Sequence, residues 1–160
     1  MKRRDLLKSI TAAGFAVFLD RQAFAASESF PVSLSEEEWE KKLSPDAYNV
    51  LRRHATEMPF TSSLNDEYRE GVFKCAGCNS DLFMSSAKFN SHTGWPSFFQ
   101  PVTSKAIGTT TDRKLLIERV EVHCATCGGH LGHVFEDGPD PTGLRYCING
   151  VALTFKPNKA

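Results

Sequence analysis

The sequence predicts a mainly β domain preceded by short helices. Helix-start signals are confined to residues 34–59, whereas short apolar runs separated by glycine and asparagine begin after Gly71. Residues 114–124 are the clearest candidate strand: Leu115, Ile117, Arg119 and Glu121 would share one face, and Leu116, Glu118, Val120 and Val122 the other. Two Cys-x-x-Cys pairs lie in this second part, so we expect a bound metal to reinforce a core of modest size.

The first 25 residues are predicted to be a cleavable export signal of the twin-arginine type. The basic start contains Arg3 and Arg4, an apolar run of 11 residues follows, and Ala23-Phe24-Ala25 is a small-x-small cleavage site. The alternative is an amphipathic first helix of the fold. The signal interpretation places the protein in a bacterial periplasm.

The remaining chain is divided into a linker over residues 26–33 and a domain over residues 34–156. No apolar run approaches the roughly 20 residues that span a bilayer, and no cysteine directly follows the cleavage site, so we expect no membrane anchor. The chain has 19 basic and 19 acidic residues, but residues 26–160 carry 14 basic and 17 acidic ones. This mildly acidic body argues against generic nucleic-acid binding, which relies on a basic surface.

Two helices are expected before the strands. Ser35 and Glu38 have the spacing of a capping box, with Leu34 and Trp39 placed as a hydrophobic staple around it. Ser44-Pro45 supplies a cap and a first-turn proline for a second helix. Pro59 ends any helical continuation.

Strands are expected at residues 72–75, 82–84 and 114–124. Residues 145–155 are a further candidate strand pair, interrupted near Asn149-Gly150. A turn-rich loop over residues 136–143 precedes this pair. The functional part is therefore predicted to be antiparallel sheet.

Four of the five cysteines are predicted to form one metal site. They occur as two Cys-x-x-Cys knuckles, which together supply four thiolates for a tetrahedral, closed and structural Zn²⁺ site: Cys75, Cys78, Cys124 and Cys127. The 45 residues between the pairs indicate that the ion connects two distant hairpins. The alternatives are two disulfides or a thioredoxin-like redox motif, although no βαβ pattern surrounds either pair.

The fifth cysteine, Cys147, is the candidate reactive thiol. In an extended segment Arg145, Cys147 and Asn149 share one face, while Tyr146 and Ile148 point to the core. A positive neighbour lowers the pKa of a thiol toward the reactive thiolate. The alternative is a buried, inert cysteine.

Two further features are open to more than one interpretation. His130 and His133 could bind a metal, transfer protons or pack in the core. Trp95, held before Pro96, could form one wall of a small apolar pocket or simply pack under a loop.

In combination these segments resemble the methionine-(R)-sulfoxide reductase B family. The resemblance rests on the two Cys-x-x-Cys pairs, Gly-Trp-Pro-Ser-Phe at residues 94–98, Gly-Gly-His-Leu-Gly-His-Val-Phe at 128–135 and Arg-Tyr-Cys-x-Asn at 145–149. It runs from about Leu34 to Phe155. It implies a β-tent fold of two antiparallel sheets around a zinc-stabilised core.

The resemblance also implies roles for individual residues. Cys147 is implied as the nucleophile that takes the oxygen of methionine-(R)-sulfoxide in oxidised proteins and becomes a sulfenic acid. His133, near Asp137 and Asn149, is implied to help protonate that oxygen, and Arg145 to favour the thiolate. Substrate contacts are implied for Trp95, His130 and Phe98.

One position departs from many members of that family. Thr93 stands where they carry a resolving cysteine before Gly-Trp-Pro. We therefore expect a small thiol or a thioredoxin-like partner to reduce the sulfenic acid of a monomeric enzyme. The alternative function is a non-catalytic, zinc-scaffolded binding module.

Overall fold

The computed structural model describes residues 29–113 and 118–158. The predicted export signal and the first four residues of the predicted 114–124 strand lie outside these ranges. The described residues form two α-helices, nine strands and three short 3₁₀ turns. The helices are α1 (Glu36–Lys42) and α2 (Pro45–Arg53); the strands are β1 (Gly71–Cys75), β2 (Asp81–Met84), β3 (Lys88–Phe89), β4 (Ser97–Phe98), β5 (Ile107–Asp112), β6 (Arg119–Cys124), β7 (His130–Phe135), β8 (Arg145–Ile148) and β9 (Leu153–Pro157).

Both helices begin at the predicted caps. The Ser35 hydroxyl accepts a hydrogen bond from the Glu38 amide, and the Glu38 carboxylate accepts one from the Ser35 amide, which completes the capping box. Helix α2 starts at Ser44-Pro45 and ends where His54 adopts a left-handed conformation. No described helix has the length and apolar character needed to cross a membrane.

The strands form two antiparallel sheets, which confirms the predicted fold class. The three-stranded sheet has the order β2-β1-β9, and the six-stranded sheet has the order β3-β4-β8-β7-β6-β5. The candidate pair at 145–155 is divided between them: β8 lies in the large sheet and β9 in the small one. A 3₁₀ turn, Gly150–Ala152, connects the two strands.

Aromatic side chains fill the space between the sheets. Phe98, from the large sheet, stacks on Phe83 of the small sheet with ring centroids 4.4 Å apart. Phe73 meets the edge of Phe98 at 5.0 Å and contacts Phe155 at 4.9 Å. Phe98 is 0% exposed. The structure thus places Phe98, for which the family resemblance implied a substrate contact, in the core.

The position of Phe98 leads to a stability prediction. Phe98→Ala is expected to lower the free energy of unfolding by about 3–5 kcal/mol, because it leaves a cavity between the sheets. Urea denaturation of the metal-loaded protein measures the change. Phe60→Ala is the matched control, since Phe60 is 72% exposed. An equal, small effect in both variants would contradict this account of the core.

Candidate active site and metal centre

Four cysteine sulfurs converge where the two sheets meet. Cys75 and Cys124 are the last residues of β1 and β6, and Cys78 and Cys127 lie in the turns that follow those strands. One ligand atom from each of the four residues lies within 4.8 Å of the others. The Sγ–Sγ distances are 3.7 Å between Cys75 and Cys127 and 3.5 Å between Cys78 and Cys124.

The two Cys-x-x-Cys knuckles make the same kind of backbone turn. The amide of Asn79 donates to the Cys75 carbonyl, and the amide of Gly128 donates to the Cys124 carbonyl, both at 2.8 Å. Asn79 and Gly128 have φ values of 63° and 68°, in the left-handed region that asparagine and glycine tolerate. Each knuckle can therefore turn tightly enough for its two sulfurs to point inward.

These sulfur distances fit a tetrahedral thiolate site. A metal–sulfur bond of about 2.3 Å places tetrahedral ligands about 3.8 Å apart, whereas a disulfide needs about 2.05 Å. All five cysteines of the chain are free thiols. Hydrogen bonds between the crowded thiols raise the pKa of Cys75 and lower that of Cys78. The residues thus suit a divalent cation, which would favour the thiolate form throughout the cluster.

Cys147 lies on β8, within the large sheet. Antiparallel pairing places His133 of β7 directly opposite it on one side and Ser97 of β4 on the other. Residues opposite each other on antiparallel strands project to the same face. The register therefore brings the thiol and the imidazole together from positions 14 residues apart.

A small cavity opens at this thiol. It has a volume of about 110 Å³ and is lined by Thr56, Trp95, Arg119, Gly132, His133, Phe135, Cys147 and Asn149. At about 30 Å³ per water-sized group, it holds roughly four heavy atoms. It therefore combines a nucleophile, a titratable ring and an indole wall in a space suited to a very small group.

Burial raises the pKa of Cys147 above its ordinary value. A hydrogen bond from Thr93 and the positive charge of Arg145 lower that pKa but do not offset the burial. The sequence analysis expected Arg145 to lower this pKa; Arg145 does so, but burial outweighs its effect. The free site therefore favours the protonated thiol.

A chain of hydroxyl groups approaches Cys147 from the loop before Trp95. The Thr93 hydroxyl lies 3.9 Å from the Cys147 sulfur and 2.8 Å from the Ser91 hydroxyl. Ser91 in turn lies 2.7 Å from the hydroxyl of Ser97, which is fully buried. Hydroxyl groups can rotate to donate or accept, so the chain can direct a donor toward a thiolate.

The carboxylate that faces His133 comes from β5. His133 Nε2 donates to Asp112 Oδ2 at 2.9 Å, and Arg119 pairs with the same carboxylate at 2.7 Å. Burial lowers the pKa of His133, and the Asp112 hydrogen bond opposes that shift without cancelling it. The structure thus provides an oriented imidazole that favours the neutral form.

Asp137, the carboxylate implied beside His133, pairs instead with Arg145. Two hydrogen bonds of 2.9 Å join the guanidinium to the carboxylate. Arg145 also lies over the ring of Phe135 at 4.4 Å. This pairing holds the pKa of Asp137 below its usual range. Neither Asp137 nor Arg145 lines the cavity.

His130 belongs to a neighbouring polar cluster. Its Nδ1 donates to Glu121 at 2.6 Å, and His54 meets the same carboxylate oxygen at 2.9 Å. The His130 side chain is only 3% exposed and does not line the cavity. Its ring centroid lies 5.5 Å from that of His133, so it contacts the site through His133.

Glu57 is a connecting residue that the sequence analysis missed. Its amide donates to the Asn149 side chain at 2.8 Å, its carbonyl accepts from the Trp95 indole at 2.9 Å, and its carboxylate accepts from the Gly150 amide at 2.6 Å. Glu57 thus holds both Asn149 and Trp95, which line the cavity at Cys147. Its only sequence signal is a position just before Pro59.

The chain is similar to known proteins over most of its length. The SelR domain family matches residues 43–157. The peptide methionine sulfoxide reductase MsrB of Methanosarcina barkeri is 52% identical over 125 residues, covering 78% of this chain and 88% of that protein. The protein of the same name from Agrobacterium fabrum is 48% identical over 126 residues, covering 79% and 93% respectively. The Bradyrhizobium diazoefficiens protein is 53% identical over 123 residues, covering 77% and 88%.

The hydroxyl chain leads to a prediction about thiol reactivity. Thr93→Val removes the donor that favours the Cys147 thiolate, so alkylation by iodoacetamide at neutral pH should slow by about threefold to tenfold. Because burial raises the pKa of Cys147, the rate in both proteins should climb as the pH rises above neutrality. Thr93→Ser keeps the hydroxyl and should retain most of the rate. Equal rates in the valine and serine variants would contradict a role for this donor.

Proposed function

The chain belongs to the methionine-(R)-sulfoxide reductase B family, and we propose that it reduces methionine-(R)-sulfoxide, chiefly in oxidised proteins, through Cys147. The observation that carries this proposal is the position of Cys147 in a cavity of about 110 Å³ between Trp95 and His133. A methyl group, a sulfur and an oxygen fit that volume. The indole offers an apolar surface to the methyl group, and the imidazole offers a donor to the oxygen.

The proposed chemical step transfers one oxygen atom. The Cys147 thiolate attacks the sulfoxide sulfur, the oxygen passes to the cysteine sulfur, and methionine is released. Cys147 is oxidised to a sulfenic acid while the substrate sulfur is reduced to a thioether. Protons must reach the sulfoxide oxygen because that oxygen is a poor leaving group.

His133 is proposed to supply a proton, directly or through water. Its Nε2 is held by Asp112, and its ring lies opposite Cys147 across the sheet. Since burial lowers the pKa of His133, transient protonation yields a strong acid at the place where the oxygen binds. Asp112 keeps that cation stabilised and the ring oriented, and it occupies the place beside His133 where the family resemblance had implied Asp137.

The oxidised enzyme is proposed to depend on an external reductant. Every cysteine other than Cys147 belongs to the four-sulfur cluster, and Thr93 offers no thiol at the position nearest Cys147. A thiol of a small-molecule or thioredoxin-like reductant would displace water from the sulfenic acid to form a mixed disulfide with Cys147. A second thiol of the reductant would then attack that disulfide, so that Cys147 is released as a thiol and the reductant leaves as a disulfide.

Zn²⁺ is proposed as the ion of the four-cysteine cluster. Four thiolates fill its tetrahedral shell, so the bound ion supplies structural cross-linking and no open catalytic position. The cluster connects the loops after β1 and β6, which belong to different sheets.

Residues 1–25 are proposed to direct the protein through the twin-arginine route to the periplasm. Support comes from Arg3-Arg4, the 11-residue apolar run and the Ala23-Phe24-Ala25 site. The reductase domain would then occupy residues 34–156 after the linker at 26–33. Substitution of both Arg3→Lys and Arg4→Lys should abolish export, which cell fractionation measures. If the substituted protein is still exported, the proposed twin-arginine route is wrong.

The proposed activity predicts a stereospecific endpoint. Incubation with racemic methionine sulfoxide and dithiothreitol should consume about half of the substrate, with only the R epimer lost. Chiral chromatography measures both epimers. No consumption by metal-loaded protein would favour the alternative of a non-catalytic binding module.

Two variants assign the chemistry to residues. Cys147→Ser should lower single-turnover reduction by at least about 1000-fold. His133→Asn should slow it by about 100-fold or more, because the acid is lost. An unchanged rate in the asparagine variant would remove His133 from the proton transfer, and an unchanged rate in the serine variant would overturn the proposal.

The metal proposal predicts one tightly bound Zn²⁺ per chain. Cys124→Ser should lose the ion and unfold at several molar less urea, because structural zinc contributes directly to folding. Cys147→Ser is the matched control, since it removes a thiol outside the cluster and should retain the ion. Elemental analysis of both variants tests the prediction, which fails if their zinc contents are equal.

A further inference from the structure

A second, larger cavity shares Trp95 with the cavity at Cys147. It has a volume of about 310 Å³, and Phe60, Tyr68, Lys88, Phe89 and Trp95 are among its lining residues. Trp95 lines both this cavity and the one at Cys147. The two cavities are therefore adjacent at this residue.

We propose that this second cavity, the outer groove, receives the residue adjacent to the oxidised methionine in an extended segment of a substrate protein. This inference rests on the proposed function. The inner cavity has room for about four heavy atoms, so the chain on either side of a bound methionine sulfoxide must lie outside it. The outer groove meets the inner cavity at Trp95, which lines both.

Phe60 is an exposed residue of the outer groove whose position is fixed by its backbone contacts. It is 72% exposed, yet its backbone is held at φ 66°, a conformation that is costly for a bulky side chain. Its amide donates to the Gly94 carbonyl at 2.8 Å. A Cβ at Gly94 would lie 2.8–2.9 Å from Phe60 and Pro59, so glycine there is what lets the ring approach. The loop beside Trp95 thus presents an aromatic ring to solvent.

The opposite wall is fixed by polar contacts. Lys88 is buried; it donates to the Asn65 carbonyl at 2.6 Å and lies 3.6 Å from the centroid of the Tyr68 ring. The Asn65 side chain donates to the same Gly94 carbonyl at 3.0 Å. These contacts hold Tyr68 facing the groove and connect both walls to the residue before Trp95.

The chemistry of the walls indicates the occupant. Aromatic rings at Phe60, Tyr68 and Phe89 offer contacts to an apolar or aromatic side chain, and the polar side chains that make up much of the lining suit an extended peptide backbone. Free methionine sulfoxide has no such neighbouring residue. An exposed, unfolded segment in which the sulfoxide lies next to an aromatic residue matches both spaces.

The experiment compares capped peptides that contain one methionine-(R)-sulfoxide flanked by phenylalanine or by glycine. The wild-type protein should show about tenfold higher kcat/KM for the phenylalanine peptide, mainly through a lower KM. Phe60→Ala should reduce this preference to about twofold or less. Phe60→Asn should do the same, and asparagine tolerates the left-handed backbone, so loss of folding does not explain the result.

Met58→Ala is the matched control. Met58 is 71% exposed and lies two residues from Phe60, but it lines neither the outer groove nor the inner cavity. This variant should keep the wild-type preference. A preference that persists in both Phe60 variants, or is absent from the wild type while both peptides are reduced, overturns the groove and leaves the proposed function intact. Failure of the wild type to reduce either peptide overturns both.

Discussion

The antiparallel pairing of β7 with β8 is the constraint on which the site depends. It sets His133 opposite Cys147, and that register requires the strands to approach closely at Gly132. A side chain at Gly132 would collide with the carbonyl oxygen of Cys147. Because side chains alternate faces along a strand, a slip of one residue would turn either the thiol or the imidazole away from the cavity. The proposed chemistry therefore depends first on the register of these two strands and only then on which side chains they carry.

Burial acts on the two central groups in opposite directions and leaves both uncharged. It raises the pKa of Cys147 and lowers that of His133, and nearby groups offset these shifts only partly. Both effects follow from the cost of charge in a poorly solvated cavity. The resting site is therefore a thiol beside a neutral imidazole. A sulfoxide that enters this cavity adds a polar group there, at the position where the proposed reaction needs a charged thiolate and a charged imidazolium.

Local features were predictable from the sequence, whereas long-range partners were not. The capping box of Ser35 and Glu38 and the knuckles at Cys75 and Cys124 follow from spacing alone, and the structure reproduces them. Asp112 and Glu57 act across separations of 21 and up to 93 residues, which no local pattern encodes. The core position of Phe98 and the sign of the Cys147 shift depend on how the sheets pack. Strand alternation shows which face a residue occupies but not what covers that face.

The turn between β8 and β9 connects the site at Cys147 with the four-cysteine cluster. It starts three residues after Cys147, passes from the large sheet to the small one, and ends with the Ala152 carbonyl accepting from the amide of Ala76, the residue after Cys75. One short piece of backbone therefore joins the strand that carries Cys147 to the knuckle that begins at Cys75. On the proposed zinc site and reductase activity, a cell starved of the ion would loosen the backbone around Cys147 while its sulfur was still chemically intact, so scarcity of a nutrient would present itself as failure of repair.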